Sequence, residues 1–217
     1  MNKNALVEST ANYVKSQMLE DCTGHDWWHV YRVWKTALKI ARYEDADLTV
    51  VQLGALLHDI ADWKFNNGDT GVGEKVSRKW LKKANADPKT ISQVCYIVKN
   101  VSFKGAGVKD RMRTKEGQIV QDADRLDAMG AMGIARTFTY GGYKGRLIYD
   151  PNLKPKNHKS FAEYGAAKSS SVNHFYEKLL LLKDRMNTKT GKRLAKARDA
   201  FMREYLRRFF REWEGQE

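Results

Sequence analysis

Residues 56–63 read LLHDIADW, so His58, Asp59 and Asp62 follow at once on an apolar pair. Burying an imidazole and carboxylates there without partners is costly. A bound metal ion compensates them; so does an imidazole–carboxylate pair holding the core together. His25 and His29 lie four residues apart, and the stretch 25–43 predicts a helix on which they share a face. That spacing fits a zinc pair, and equally two imidazoles in solvent. The segment 119–130, IVQDADRLDAMG, places Asp122, Asp124 and Asp127 among aliphatic neighbours on one predicted helix. Three acids in such a setting imply a bound cation, pairing with Arg or Lys, or catalysis. Arg125 can pair with only some of them. A mixed imidazole and carboxylate set suits Mn²⁺, Fe²⁺, Ni²⁺ or Zn²⁺, with water in the open positions.

These groups need helices to carry them, and apolar residues recur at helical spacing through most of the chain. Helices are predicted over 3–20, 25–43, 47–60, 73–86, 88–100 and 116–136, then over 162–185 and 189–213. Asp87-Pro88 supplies an N-cap and an N1 proline. Ser160 and Glu163 have the spacing of a capping box. The segments 64–71 and 102–115 read as loops, the second basic and rich in glycine. Thr139–Lys159 is the longest irregular region, of a length that is more often functional or mobile than idle. No period-2 pattern supports a strand, so the expected fold class is all-α.

The order His29, with Arg32-Val33 after it, then His58-Asp59, then Asp124 in ADRLD, resembles the H…HD…D pattern of the HD-domain phosphohydrolases. Residues 23–138 and the stretch 171–190 are similar to the small single-domain bacterial branch of that superfamily. The resemblance implies an HD-type helical bundle with a C-terminal helical extension. It implies one domain over 1–217, with a metal-site core at about 20–136 and a basic helical region at about 137–217. It implies His29, His58, Asp59 and Asp124 as ligands of one divalent ion, Mn²⁺ being favoured over Fe²⁺, Ni²⁺, Zn²⁺ or Mg²⁺. Asp122 is the rival for the fourth position. Asp62 stands where some members carry the acid that activates water. The Glu-Asp pair of the alarmone hydrolases is missing after His58-Asp59, and no histidine falls between His58 and His158, which favours a single metal.

Length and composition agree with this reading. The chain has 217 residues, 42% of them hydrophobic and 30% charged, which is the composition of a globular domain. Cys22 and Cys95 make no CxxC and read as reduced thiols. The first twenty residues lack an apolar leader core, and no run approaches a membrane span. The expected location is cytoplasmic, with no membrane partner.

The net charge of +13 is uneven: residues 138–217 hold 18 Lys/Arg against 9 Asp/Glu. Such a field favours an anionic partner. The expected function is hydrolysis of a phosphorylated small molecule, most simply a nucleoside triphosphate cleaved with release of pyrophosphate. Arg32, Lys104, Lys109, Arg125, Lys178 and Lys183 are the candidates to neutralise phosphate, the last two on one predicted helix with His174. The alternatives are a 5′-nucleotidase or phosphodiesterase of the same superfamily, or a basic helical module that binds nucleic acid.

Overall fold

The structure is a computed structural model and describes residues 2–18, 23–61, 69, 71–158, 160, 162–163 and 169–216. Every regular element among them is a helix, so the all-α expectation holds. No helix among them is long and apolar enough to cross a membrane. The chain falls into two compact units, one of residues 1–103 and 109–124, the other of residues 104–108 and 125–217.

The first unit contains α1 (Lys3–Gln17), α2 (Trp27–Ala41), α3 (Leu48–Leu57), α4 (Val72–Lys83), α5 (Pro88–Asn100) and most of α6 (Lys115–Asp127). Helix α3 is apolar except at Thr49 and Gln52 and forms the centre, packed against α1, α2 and α5. Its Val50, Val51, Leu53, Leu56 and Leu57 are fully buried. Each such side chain contributes roughly 1.5–3 kcal/mol of transfer free energy. Gly54 lets α3 approach its neighbours closely, since a Cβ there would meet Ile97 Cδ1 at 3.1 Å. Short polar side chains start the helices as the sequence implies. Asp47 accepts from Thr49 N at 2.8 Å, and Asp87, ahead of Pro88, accepts from Thr90 N at 3.0 Å.

The second unit contains α7 (Gly130–Tyr143), α8 (Ser171–Glu177), a 3₁₀ segment (Leu179–Arg185) and α9 (Lys189–Trp213). Three expectations are corrected around it. The predicted helix 116–136 breaks between α6 and α7, because Gly130 adopts φ +69 and a Cβ there would meet Arg198 Cγ at 3.0 Å. Helix α7 then continues to Tyr143, which shortens the irregular region expected from Thr139. The predicted helix 162–185 is not continuous over its described part, since α8 stops at Glu177. Four consecutive leucines follow, and Leu179, Leu180 and Leu182 are buried. The 3₁₀ turn eclipses i with i+3 and so aligns Leu179 with Leu182.

The segment after α7 is tied down. Glu177 accepts from Lys156 N at 3.1 Å and from Ser169 Oγ at 2.9 Å, and Asn173 donates to the Leu153 carbonyl at 2.8 Å. Glu163 N donates to Ser160 Oγ at 3.2 Å, the bond expected of the cap.

Candidate metal centre

Three segments of the first unit bring four donor groups together. His29 lies in the first turn of α2, where Asp26 caps the helix by accepting from the His29 amide at 2.8 Å. The predicted His25–His29 pair does not share a helix face, because the helix starts only after that cap. His25 instead sits with its Nδ1 3.2 Å from Thr23 Oγ1 and its ring 6.0 Å from that of His29.

Helix α3 ends at Leu57, not at residue 60, so His58 and Asp59 lie in the turn that leaves it. The His58 backbone stays right-handed helical at φ −58 and ψ −31, so the helix is left after it. The His58 ring turns back on its own helix and donates from Nδ1 to the Ala55 carbonyl at 2.8 Å. With Nδ1 donating there, Nε2 is the ring nitrogen left to face the cluster. Helix α6 brings Asp124, and is fixed by Gln121, whose amide donates to the Val101 carbonyl at 3.2 Å.

His29 Nε2 lies 3.1 Å from His58 Nε2, 3.5 Å from Asp59 Oδ2 and 3.6 Å from Asp124 Oδ1. His58 Nε2 is 3.8 Å from the same Asp124 oxygen. The two histidines are buried, while the Asp124 side chain keeps 27% of its exposure and so leaves the cluster open to solvent on one side. Burial alone would raise the Asp59 carboxyl; the imidazoles of His58, His29 and His25 outweigh it and hold that carboxyl well below its ordinary range. Two imidazole nitrogens and two carboxylate oxygens with a formal charge of about −2 are a donor set suited to one divalent first-row cation. Among the described residues, His29, His58 and Asp59 place donor atoms within 4.8 Å of one another.

The other candidates are placed differently. Asp122 is wholly buried, and Asp127 forms an ion pair with Arg136 at 3.3 Å. Asp62 lies outside the described residues. Arg32 is half-buried on α2, and Lys109 is exposed in the first unit. In the second unit Lys104 is half-buried, and Arg125 is buried and donates to the Arg185 carbonyl. Lys178 and Lys183 do not share a helix. Lys178 occupies the junction after α8, and Lys183 lies in the 3₁₀ segment, 3.7 Å from Asp199. Sequence reasoning missed the Asp26 cap, which starts the helix that carries His29, and the Ala55 carbonyl that orients the His58 ring. The first was legible, since an Asp directly ahead of a periodic apolar stretch is an N-cap signal.

This constellation has counterparts. Residues 27–129 match the HD domain family. YpgQ of Bacillus subtilis is 37% identical over 205 residues, covering 92% of this chain and 90% of its own. The chain belongs to the HD-domain family. Crystal structures agree along the whole length. A Lactobacillus plantarum protein superposes with a TM-score of 0.89 at 33% identity, with all of both chains covered. An HD-superfamily hydrolase of Bacillus thuringiensis gives 0.75 at 39% identity, covering 99% of this HD-domain chain and all of the other. The structure of YpgQ in complex with ADP gives 0.77, covering 98% of this chain and 97% of that one.

Proposed function

We propose that this chain is a divalent-metal-dependent phosphohydrolase of nucleotides that cleaves a nucleoside triphosphate between the α and β phosphates. The observation that carries the reading is that His29 Nε2 lies 3.1–3.6 Å from donor atoms of His58, Asp59 and Asp124, with His58 Nε2 3.8 Å from Asp124. A nucleotide is supported by YpgQ, a relative along nearly the whole chain, whose structure holds ADP.

A divalent ion held by the four donors supplies Lewis-acid polarisation of a phosphoryl group and brings the pKa of water towards neutrality. The chain's own residues do the rest. The Ala55 carbonyl fixes the His58 imidazole, and the Asp26 cap fixes the backbone turn from which His29 projects. Asp62 takes the proton of the attacking water. Oxygen bonds to the α-phosphorus as the bridging α–β P–O bond breaks, and pyrophosphate leaves with the electron pair. Arg32 and Lys109, cations of the same unit, carry phosphate charge.

The test is a panel of nucleoside tri-, di- and monophosphates incubated with the protein and Mn²⁺, with products resolved by phosphorus NMR. Pyrophosphate and a monophosphate are expected. Orthophosphate as the only product, or activity confined to monophosphates, would transfer the chain to the 5′-nucleotidases. No hydrolysis with any first-row metal would remove the proposal.

A further inference from the structure

The second unit holds 21 Lys/Arg against 10 Asp/Glu, which is nearly all of the chain's excess positive charge. The hydrolase reading does not account for most of it. Helix α9 concentrates the excess, with nine basic residues against three acidic ones between Lys189 and Trp213. Its inner face buries Ala195, Asp199, Met202 and Leu206. Along the flank of that face, centred about 110° from it, Lys189, Arg193, Lys196, Arg203, Arg207 and Arg211 are all exposed. At 100° per residue these six fall within an arc of about 80°, and they run along about 33 Å of helix.

Local pairing absorbs part of this row. Arg203 binds Asp199 at 2.8 Å, and Arg207 shares Glu204 with Arg208. Lys189, Arg193, Lys196 and Arg211 make no ion pair with a described carboxylate. A solvated helical face of this length ordinarily interleaves both signs for i,i+4 support; here Asp199 and Glu204 are the acids of α9 that pair with the row. The centre of the row is low, since Ala197 and Ala200 are exposed there. Phe201 stands next to them with 51% of its surface exposed.

We propose that the exposed basic flank of α9 binds single-stranded nucleic acid through its phosphates, with Phe201 as a stacking platform. A straight row of cations suits a flexible strand that can lie along it, whereas each strand of a duplex winds away within about one turn. Phe201 lies about 80° around the helix from the nearest edge of the row, within reach of bases that turn away from a phosphate track, and aromatic stacking beside a basic track holds single strands without sequence preference. Helix α9 has no Asn or Gln to read base edges. The row also lacks the large aliphatic residues that a lipid interface requires.

The test is fluorescence anisotropy with 20-nucleotide oligouridylate and oligothymidylate, a duplex of equal length, and anionic vesicles. Binding to the single strands is expected, with affinity falling about a hundredfold between 50 and 200 mM salt, as neutralising about five phosphates requires. Arg193→Glu/Lys196→Glu/Arg211→Glu should weaken it more than tenfold, while nucleotide hydrolysis is unchanged. Lys79→Glu/Lys82→Glu/Lys83→Glu on α4 makes the same change of charge and should have little effect. Phe201→Ala should weaken binding about fivefold without altering the salt slope. Equal losses from the α4 and α9 variants, tighter binding to duplex, retention on vesicles alone, or no binding at 50 mM salt would each overturn the proposal. The oligouridylate and oligothymidylate arms separate RNA from DNA as the preferred strand.

Discussion

His58 shows at the scale of one residue how the centre is arranged. Its Nδ1 proton is committed to the Ala55 carbonyl, so its other nitrogen is left to meet His29, Asp59 and Asp124. Removing one member leaves the remaining charge buried and uncompensated. Asp59→Ala is therefore expected to lose both the bound ion and turnover, read by metal analysis of the purified protein and by nucleotide hydrolysis; full occupancy with normal rate would refute the assignment. Asp124 and Asp122 point about 200° apart on a regular helix. Asp124 has its carboxylate within 4 Å of both imidazoles, and Asp122 is wholly buried. Metal affinity should fall in Asp124→Asn and survive in Asp122→Asn, and the reverse result would exchange their roles. Asp62→Asn is expected to keep the ion and lower kcat by about a hundredfold, the scale of a lost general base. An unchanged kcat would leave Asp62 without a part in proton transfer.

At the scale of elements, the positioning depends on α3 lying deep between its neighbours. Gly54→Val would press a branched side chain on Ile97 and Val120, whose atoms already lie 3.1–3.4 Å from a Cβ built there. Overpacking of this kind costs about 1–3 kcal/mol, so a lower Tm is expected, together with weaker metal binding because His58 and Asp59 follow that helix. Helices α4 and α5 are joined through Glu74, which meets Arg78 at 2.9 Å and Lys99 at 3.3 Å. The hydrogen bond from Arg78, aided by Lys99, outweighs burial and holds the Glu74 carboxyl below its ordinary value. A lowered folded value means stability present above the unfolded value and lost as pH falls through the folded one. Glu74→Gln should thus cost about 0.5 kcal/mol at neutral pH, and the difference from the parent should vanish in acid. A difference that persists in acid would assign the effect to packing. The same helices show what the sequence made legible. Their caps, apolar stripes and order were readable because each is a local property of spacing. The early end of α3 at Leu57 was not, because it depends on where the His58 ring finds a carbonyl. Nor was the 3₁₀ turn over Leu179–Arg185, which depends on what that leucine run packs against. The donors themselves were legible through their order along the chain; their convergence depends on how α2, α3 and α6 pack, which spacing does not give.

Across the whole molecule, the candidate ligands come from positions 29, 58, 59 and 124, so an ion bound by them would link segments far apart in the chain. The unfolded chain has no such arrangement, and a ligand that binds only the folded state stabilises it by mass action. Mn²⁺ at about a hundred times its dissociation constant should add about 2.7 kcal/mol and raise Tm progressively with concentration. A chelator should reverse the shift, and Asp59→Ala should be insensitive to both. This measurement needs no substrate, so it separates the metal centre from the choice of nucleotide. A Tm indifferent to every first-row divalent ion would mean that the four donors hold one another as an internal charge network, and the hydrolase reading would then lose its foundation.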